Sequence, residues 1–180
     1  LYWCFLTERT DLLDGRPKKL LHMAPEPCLI SRLSNAPGIN YLSADLDSPL
    51  AMLKMDLTRI EYADESFDII LCSHVLEHIE EDRKAIAELF RVLKRGGWAL
   101  LQVPIVVGKT LEDPSVRSPE QRREIFGQHD HVRACGIDYA QRYEEAGFRV
   151  ERVGATELAG KRRAVSWSLV DGMNPVLFWC

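Results

Sequence analysis

No apolar run in this 180-residue chain approaches the ~20 residues that a bilayer-spanning helix needs. The most apolar stretch, Trp98 to Val107, is interrupted by Gln102 and Pro104, so no membrane span is expected. The start lacks the charged-then-apolar pattern of a secretory leader. It opens on Leu1 rather than Met, which leaves room for a lost upstream segment. Paired cysteines are also missing. Cys4, Cys28, Cys72, Cys135 and Cys180 are odd in number, widely spaced and include no C-x-x-C. Disulfide frameworks and zinc knuckles need the opposite, so a reducing, cytoplasmic setting is expected. Basic excess is absent too: the net charge of −4 argues against general nucleic-acid binding, which rests on phosphate-neutralising surface. It leaves a pocket for a small anion open. Repeats and low-complexity linkers are absent, and the length suits one domain over residues 1–180 with one sizeable core.

What the chain does have is short apolar runs alternating with amphipathic stretches, the pattern of α/β layers around a parallel sheet. An opening helix is expected from Tyr2 to Leu13, ending at Asp14-Gly15. Lys19 to Ala24 reads as a buried strand, broken by Pro25-Glu26-Pro27. Leu29, Ile30 and Leu33 then give a short helix its apolar face, and Asn35-Ala36-Pro37-Gly38 stops it. Further strands are expected at Ile39 to Ala44, Ala51 to Met55, Phe67 to Ser73, Trp98 to Val103, Phe148 to Val153 and Val176 to Cys180. The clearest helix is Glu81 to Lys94, with Ile86, Leu89, Phe90 and Leu93 at i, i+3, i+4 and i+7. Gly96-Gly97 is expected to end it in the left-handed conformation. From Pro104 to Gly136 strand signals are few. Ser118-Pro119 with Gln121 forms a capping-box pattern for a short helix ending near Gly127. Another helix runs from Asp138 to Ala146, closed by Gly147. The sum is an open, doubly wound α/β sheet.

In such sheets ligands bind beyond the carboxyl ends of the strands, where strand order reverses. Asp45 falls about twenty residues after the first strand–helix turn, where nucleoside binders place an acid on the ribose hydroxyls. Two carboxylate oxygens can accept two such bonds; a helix cap or solvated loop acid is the plainer alternative. Asp56, followed by Leu57, could accept from an adenine amino group while the leucine packs on the ring. Alone it would read as an ordinary loop acid. Asp45 and Asp56 gain weight together, because they end adjacent strands.

The block from Phe67 to Ile105, FDIILCSHVLEHIEEDRKAIAELFRVLKRGGWALLQVPI, closely resembles the second half of the class I S-adenosylmethionine-dependent methyltransferase core. The resemblance covers roughly His22 to Val153 and, more weakly, the final strand. It implies a Rossmann-like sheet of seven mostly parallel strands with an antiparallel last strand, and S-adenosylmethionine as cofactor. It places Asp45 and Leu46 at the ribose, Asp56 and Leu57 at the adenine, and Ser73 and His74 at the pocket wall. The first motif departs from the family, whose acid and glycine-rich turn become His22-Met23-Ala24-Pro25-Glu26-Pro27-Cys28 with no glycine. His22 stands in the acid's place and Ala24 in the first glycine's, as in a branch with an "APEP" turn. Glu26 is then expected to replace the missing acid, accepting from the cofactor's amino group. Alternatively it only starts the following helix, where a carboxylate suits the dipole.

His74, Glu77 and His78 make an H-x-x-E-H string that resembles an inverted zinc-protease motif. Its setting at a methyltransferase strand end argues against that reading, and no metal is expected. His131, within His129-Asp130-His131-Val132-Arg133, is the candidate catalytic base. A histidine bonded to backbone in a lid is the competing reading. Residues 105–136 are expected to form the acceptor site and lid; their basic and acidic residues balance, so a phosphate-rich acceptor is not indicated. Cys72, on a buried strand, is not read as a nucleophile.

The expected function is transfer of a methyl group from S-adenosylmethionine to an oxygen or nitrogen of a small or medium-sized acceptor. Two rivals stand beside it. One is a non-catalytic binding module with a degenerate cofactor turn, favoured by the glycine-free motif. The other is a NAD-dependent oxidoreductase, which Asp45 would serve equally well but which lacks G-x-G-x-x-G.

Overall fold

The computed structural model describes residues 2–154 and the strand Val176–Trp179. Its centre is a seven-stranded sheet of β1 (Lys18–Met23), β2 (Ile39–Asp45), β3 (Leu53–Lys54), β4 (Phe67–Ser73), β5 (Leu93–Gln102), β8 (Glu151–Gly154) and β9 (Val176–Trp179), ordered β3-β2-β1-β4-β5-β9-β8. The β1–β5 pairings are parallel, whereas β9 runs antiparallel to both β5 and β8. The strand expected at Lys19 to Ala24 is central β1, running Lys18–Met23 with Ala24 just past its end. Strand order reverses between β1 and β4, which puts the ligand crevice at their carboxyl ends. Cys180 lies outside the described residues.

Strand periodicity sorts the core into two layers. Along β1, β4 and β5, Leu21, Met23, Ile70, Cys72, Ala99 and Leu101 point into one layer, while Leu20, Ile69, Leu71, Trp98 and Leu100 point into the other. Both faces are covered, so these strands read as nearly continuous apolar runs. Helices α3 (Asp82–Val92) and α5 (Ala140–Ala146) cover the first face; α1 (Tyr2–Glu8) and α2 (Pro27–Ser34) cover the second. Truncating a fully buried Ile70 or Leu71 to alanine would cost about 2–5 kcal/mol.

Several expected boundaries are corrected. Helix α1 stops at Glu8 rather than Leu13, because the Thr10 hydroxyl donates to the Leu6 carbonyl and accepts from Leu12 N–H, turning the chain. Strand β3 shortens to Leu53–Lys54: the Met52 N–H donates to the Ser43 hydroxyl instead of to a ladder. Gly96-Gly97 does not end α3. The carbonyls of Arg91 and Val92 are satisfied by Glu65 and Ser66 N–H at 2.9 and 2.8 Å, so Leu93 passes directly into β5. The glycines instead serve an irregularity in the β4–β5 ladder, where a Cβ on Gly97 would sit 2.6 Å from the Asp68 carbonyl. Strand β8 begins at Glu151 rather than Phe148, since Gly147, at φ 111°, and Phe148 first cap the end of α5.

Residues 105–136 contain a motif the sequence did not announce. Strands β6 (Ile105–Val107) and β7 (Cys135–Gly136) pair in parallel, and Leu111 bridges Ala134. Between them, α4 (Pro119–Phe126) carries the expected capping box between Ser118 and Gln121 and ends at Gly127 in the left-handed region.

Candidate functional site

The turn leaving β1 has no glycine, yet it keeps the backbone shape that glycine normally supplies. Ala24 adopts φ 46°, and His74, at the end of neighbouring β4, adopts φ 55°. Left-handed backbone is uncommon for residues with a Cβ and persists where the surrounding structure enforces it, often at binding sites. Two such residues end the two strands that flank the switch point.

Around Ala24 the polar side chains are organised. His22 is fully buried, with Nε2 2.5 Å from Glu26 Oε2 and Nδ1 3.0 Å from the Tyr41 hydroxyl. Burial raises the Glu26 pKa, but the bond from His22, its charge and the Ser73 hydroxyl outweigh that and hold the carboxyl below its ordinary value. Glu26 is the N-cap of α2 but makes no side-chain cap bond, so helix capping does not account for its placement. Ser73, itself buried, donates to Gln102 Oε1 at 3.2 Å. Two partners escaped the sequence reading. Tyr41 shares the face of β2 with Ser43 and Asp45, a polar alternation that could have disclosed it. The Tyr2 hydroxyl, from α1, is buried without a hydrogen-bond partner among the described residues, and burial followed by the charge of Glu26 pushes its pKa up. No local pattern signals that electrostatic coupling.

Asp45 and Asp56 stand at adjacent strand ends, joined by the bond from Met55 N–H to the Asp45 carbonyl. Each fixes its own loop with Oδ1. Asp45 accepts there from Asp47 and Ser48 N–H at 2.8 and 2.7 Å, and Asp56 from the N–H and hydroxyl of Thr58, both at 2.8 Å. These bonds lower the Asp56 pKa. The second oxygen of each acid has no partner among the described residues. Leu46 is exposed and Leu57 is buried in the core, so Leu57 presents no open side chain to a ring. A cavity of about 540 Å³ opens beside Asp56.

The remaining sequence candidates lie elsewhere. His74 is half-exposed, 3.2 Å from Glu77 Oε1; that bond raises its pKa against the effect of desolvation. His131, the expected base, is 5% exposed, with Nδ1 3.3 Å from the Phe126 carbonyl. Burial, followed by the nearby His78, holds its pKa below the ordinary value. Burial pushes the Cys72 thiol up, consistent with an inert core residue.

Arg133 pins the 105–136 segment to the core, a role its sequence context did not show. It donates to the carbonyls of Leu76, Ile79 and Glu80 and pairs with Glu112. Arg142 links Glu112 to buried Asp82, which also accepts from the Tyr139 hydroxyl at 2.5 Å. A cavity of about 660 Å³ lies here, apart from Asp45 and Asp56. Arg122, whose Nε is buried and unpartnered, lines it.

A doubly wound sheet ordered β3-β2-β1-β4-β5-β9-β8, with acids at the end of β2 and just beyond β3, has the class I methyltransferase architecture. Sequence comparison points the same way: residues 32–101 match the family described as a methyltransferase domain. Over 65 residues the chain is 38% identical to a demethylmenaquinone methyltransferase of Renibacterium salmoninarum, covering 29% of this chain and 27% of that protein. Over 117 residues it is 26% identical to an uncharacterized methyltransferase of Mycobacterium marinum, covering 58% and 45%. The chain thus spans less than half the length of either relative. Among solved structures it resembles the Burkholderia thailandensis 1,6-didemethyltoxoflavin-N1-methyltransferase with bound 1,6-didemethyltoxoflavin and S-adenosylhomocysteine. That match has a TM-score of 0.63 at 14% identity and covers 94% and 72% of the two chains.

Proposed function

We propose that the chain binds S-adenosylmethionine and transfers its methyl group to an oxygen or nitrogen of a small or medium-sized acceptor. The observation that carries this reading is the pair of carboxylate oxygens on Asp45 and Asp56 without partners among the described residues, at adjacent strand ends near the left-handed Ala24 turn. The residues present fit the cofactor. Asp45 can accept from ribose hydroxyls, Asp56 from an adenine amino group, and Glu26 from an ammonium group, with His22 holding its carboxylate in place. The orphaned Tyr2 hydroxyl supplies one more polar contact on that side. Solved structural relatives include one with S-adenosylhomocysteine, which supports this choice of cofactor.

The bound cofactor supplies an activated methyl group on sulfur, and displacement there needs no acid for the leaving group. What the chain contributes is positioning, which can account for much of a rate by holding reactants at attack distance. The 105–136 segment, pinned by Arg133, would form the acceptor's side of the pocket and exclude water.

The buried Leu57 favours one other reading: a binding module of the same fold with weakened adenine recognition. Thermal melting with and without S-adenosylhomocysteine, on wild type and Asp45→Ala, separates the two. Stabilisation of wild type but not of Asp45→Ala supports the enzyme. Stabilisation of neither supports the module.

A further inference from the structure

Glu77, His78 and His131 each offer one ligand atom, and these atoms all lie within 4.8 Å of one another. We propose that they form a binding site for a divalent transition-metal ion of the zinc type, fastening the 105–136 segment to the turn after β4. This stands independently of the cofactor reading.

The first observation is an unmet need. Glu77 is 1% exposed, and its Oε2 is buried with no hydrogen-bond partner among the described residues. An orphaned polar group in a core keeps the full cost of its lost hydration, and a charged one more so. Arg133, the nearest strong cation along the chain from His131, spends its guanidinium on backbone carbonyls and Glu112 instead. A cation bound at this point would satisfy the carboxylate.

The second observation is how the imidazoles are set. His131 Nδ1 faces the Phe126 carbonyl at 3.3 Å, and a carbonyl only accepts, so Nδ1 carries the proton and Nε2 keeps its lone pair. His78 Nδ1 lies 3.2 Å from the Asp130 carboxylate, which favours the proton there, and its Nε2 lies 4.0 Å from Glu77 Oε1. Histidines that ligate metals are oriented in this way, by a carboxylate or backbone carbonyl on the other nitrogen. The frame is already tied together: Val132 N–H donates to the Glu77 carbonyl at 3.0 Å.

Two imidazoles and one carboxylate suit zinc, cobalt or nickel and do not suit magnesium or calcium, which take oxygen ligands. Tetrahedral zinc holds its ligand atoms roughly 3.4 Å apart, so the three groups need close by only about an ångström. A fourth position would remain for water or an acceptor heteroatom. His131 thereby becomes a ligand rather than the proton acceptor that its sequence context suggested. The H-x-x-E-H string is divided: His78 joins His131, while His74 stays outside, bonded to Glu77.

The test is titration of the full chain, stripped with chelator, with Co²⁺ followed by visible absorption. One equivalent should produce the d–d bands of a low-coordinate nitrogen and oxygen site, and Zn²⁺ but not Mg²⁺ should abolish them. His78→Asn and His131→Asn should lose the bands, and His129→Asn, altering an exposed neighbour, should keep them. X-ray absorption on the wild-type Zn²⁺ form should count two imidazoles, a result that does not depend on any variant folding. Absence of bands in wild type, their persistence in both ligand variants, or a zinc shell without imidazole would overturn the proposal.

Discussion

His22 Nε2 lies 2.5 Å from Glu26 Oε2 across the turn that ends β1, with the imidazole wholly buried. The pair spans the glycine-free motif and turns a histidine that replaces an acid into the support of another acid. Glu26→Gln keeps the shape and hydrogen bond but removes the charge. It should weaken S-adenosylmethionine binding roughly tenfold, about 1.4 kcal/mol, while leaving the melting temperature nearly unchanged. Calorimetry on the variant checks this; unchanged affinity would show that Glu26 serves only the helix start.

Ala24 carries a strained φ of 46°. Left-handed backbone costs a non-glycine residue roughly 1–2 kcal/mol, part of which glycine would return through its floppier unfolded chain. Ala24→Gly should therefore be neutral or stabilising by up to about 1 kcal/mol and should still bind the cofactor. Ala24→Val, with its branched Cβ, should destabilise the chain by more than about 1 kcal/mol. Urea unfolding of both variants gives the comparison.

Gly97 and Gly96 should respond differently to alanine. At Gly97 the new Cβ would meet backbone at 2.6 Å, which forces the β4–β5 ladder to shift, a change of about 1–3 kcal/mol. At Gly96 nothing lies within 4 Å, so only the φ of 77° resists, and the loss should be about 1 kcal/mol. Equal losses at both positions would contradict the close approach of Gly97 to Asp68.

Burial raises the Glu112 pKa, but bonds from Arg142 and Arg133 outweigh it and bring the carboxyl down to about 2, from an ordinary 4.5. A carboxyl depressed in the folded state stabilises above its unfolded pKa, and that contribution fades as pH falls toward the folded value. Wild type should therefore lose stability between pH 4.5 and about 2, and Glu112→Gln should lose less over the same window. Glu112 is partly exposed, so solvent screening keeps the difference small. Urea midpoints at the two ends of that window, for both proteins, measure it.

The sheet was legible because β1, β4 and β5 are buried on both faces and read as apolar runs, and because the acids that end β2 and β3 sit at fixed offsets. Boundaries were legible only where local chemistry set them, as with the capping box at Ser118 and the left-handed Gly147. They were missed where a distant partner decided, as when Glu65 and Ser66 took the last carbonyls of α3 and freed Gly96-Gly97 for β5. The site divides likewise. The position of the proposed cofactor acids Asp45 and Asp56 at adjacent strand ends follows from sequence spacing, whereas the approach of Tyr2 to Glu26 and of His131 to Glu77 depends on tertiary packing that no spacing records. Leu57 followed the family pattern in sequence but went to the core, because the loop after β3 folds inward over α3.

The central claim is that the strand ends around Asp45 hold an adenosyl cofactor, and calorimetric titration of the full chain with S-adenosylmethionine, S-adenosylhomocysteine and NAD tests it most directly. The account predicts binding of both adenosyl compounds, none of NAD, and loss of that binding in Asp45→Ala. Binding of NAD alone, or of none of the three, would contradict it.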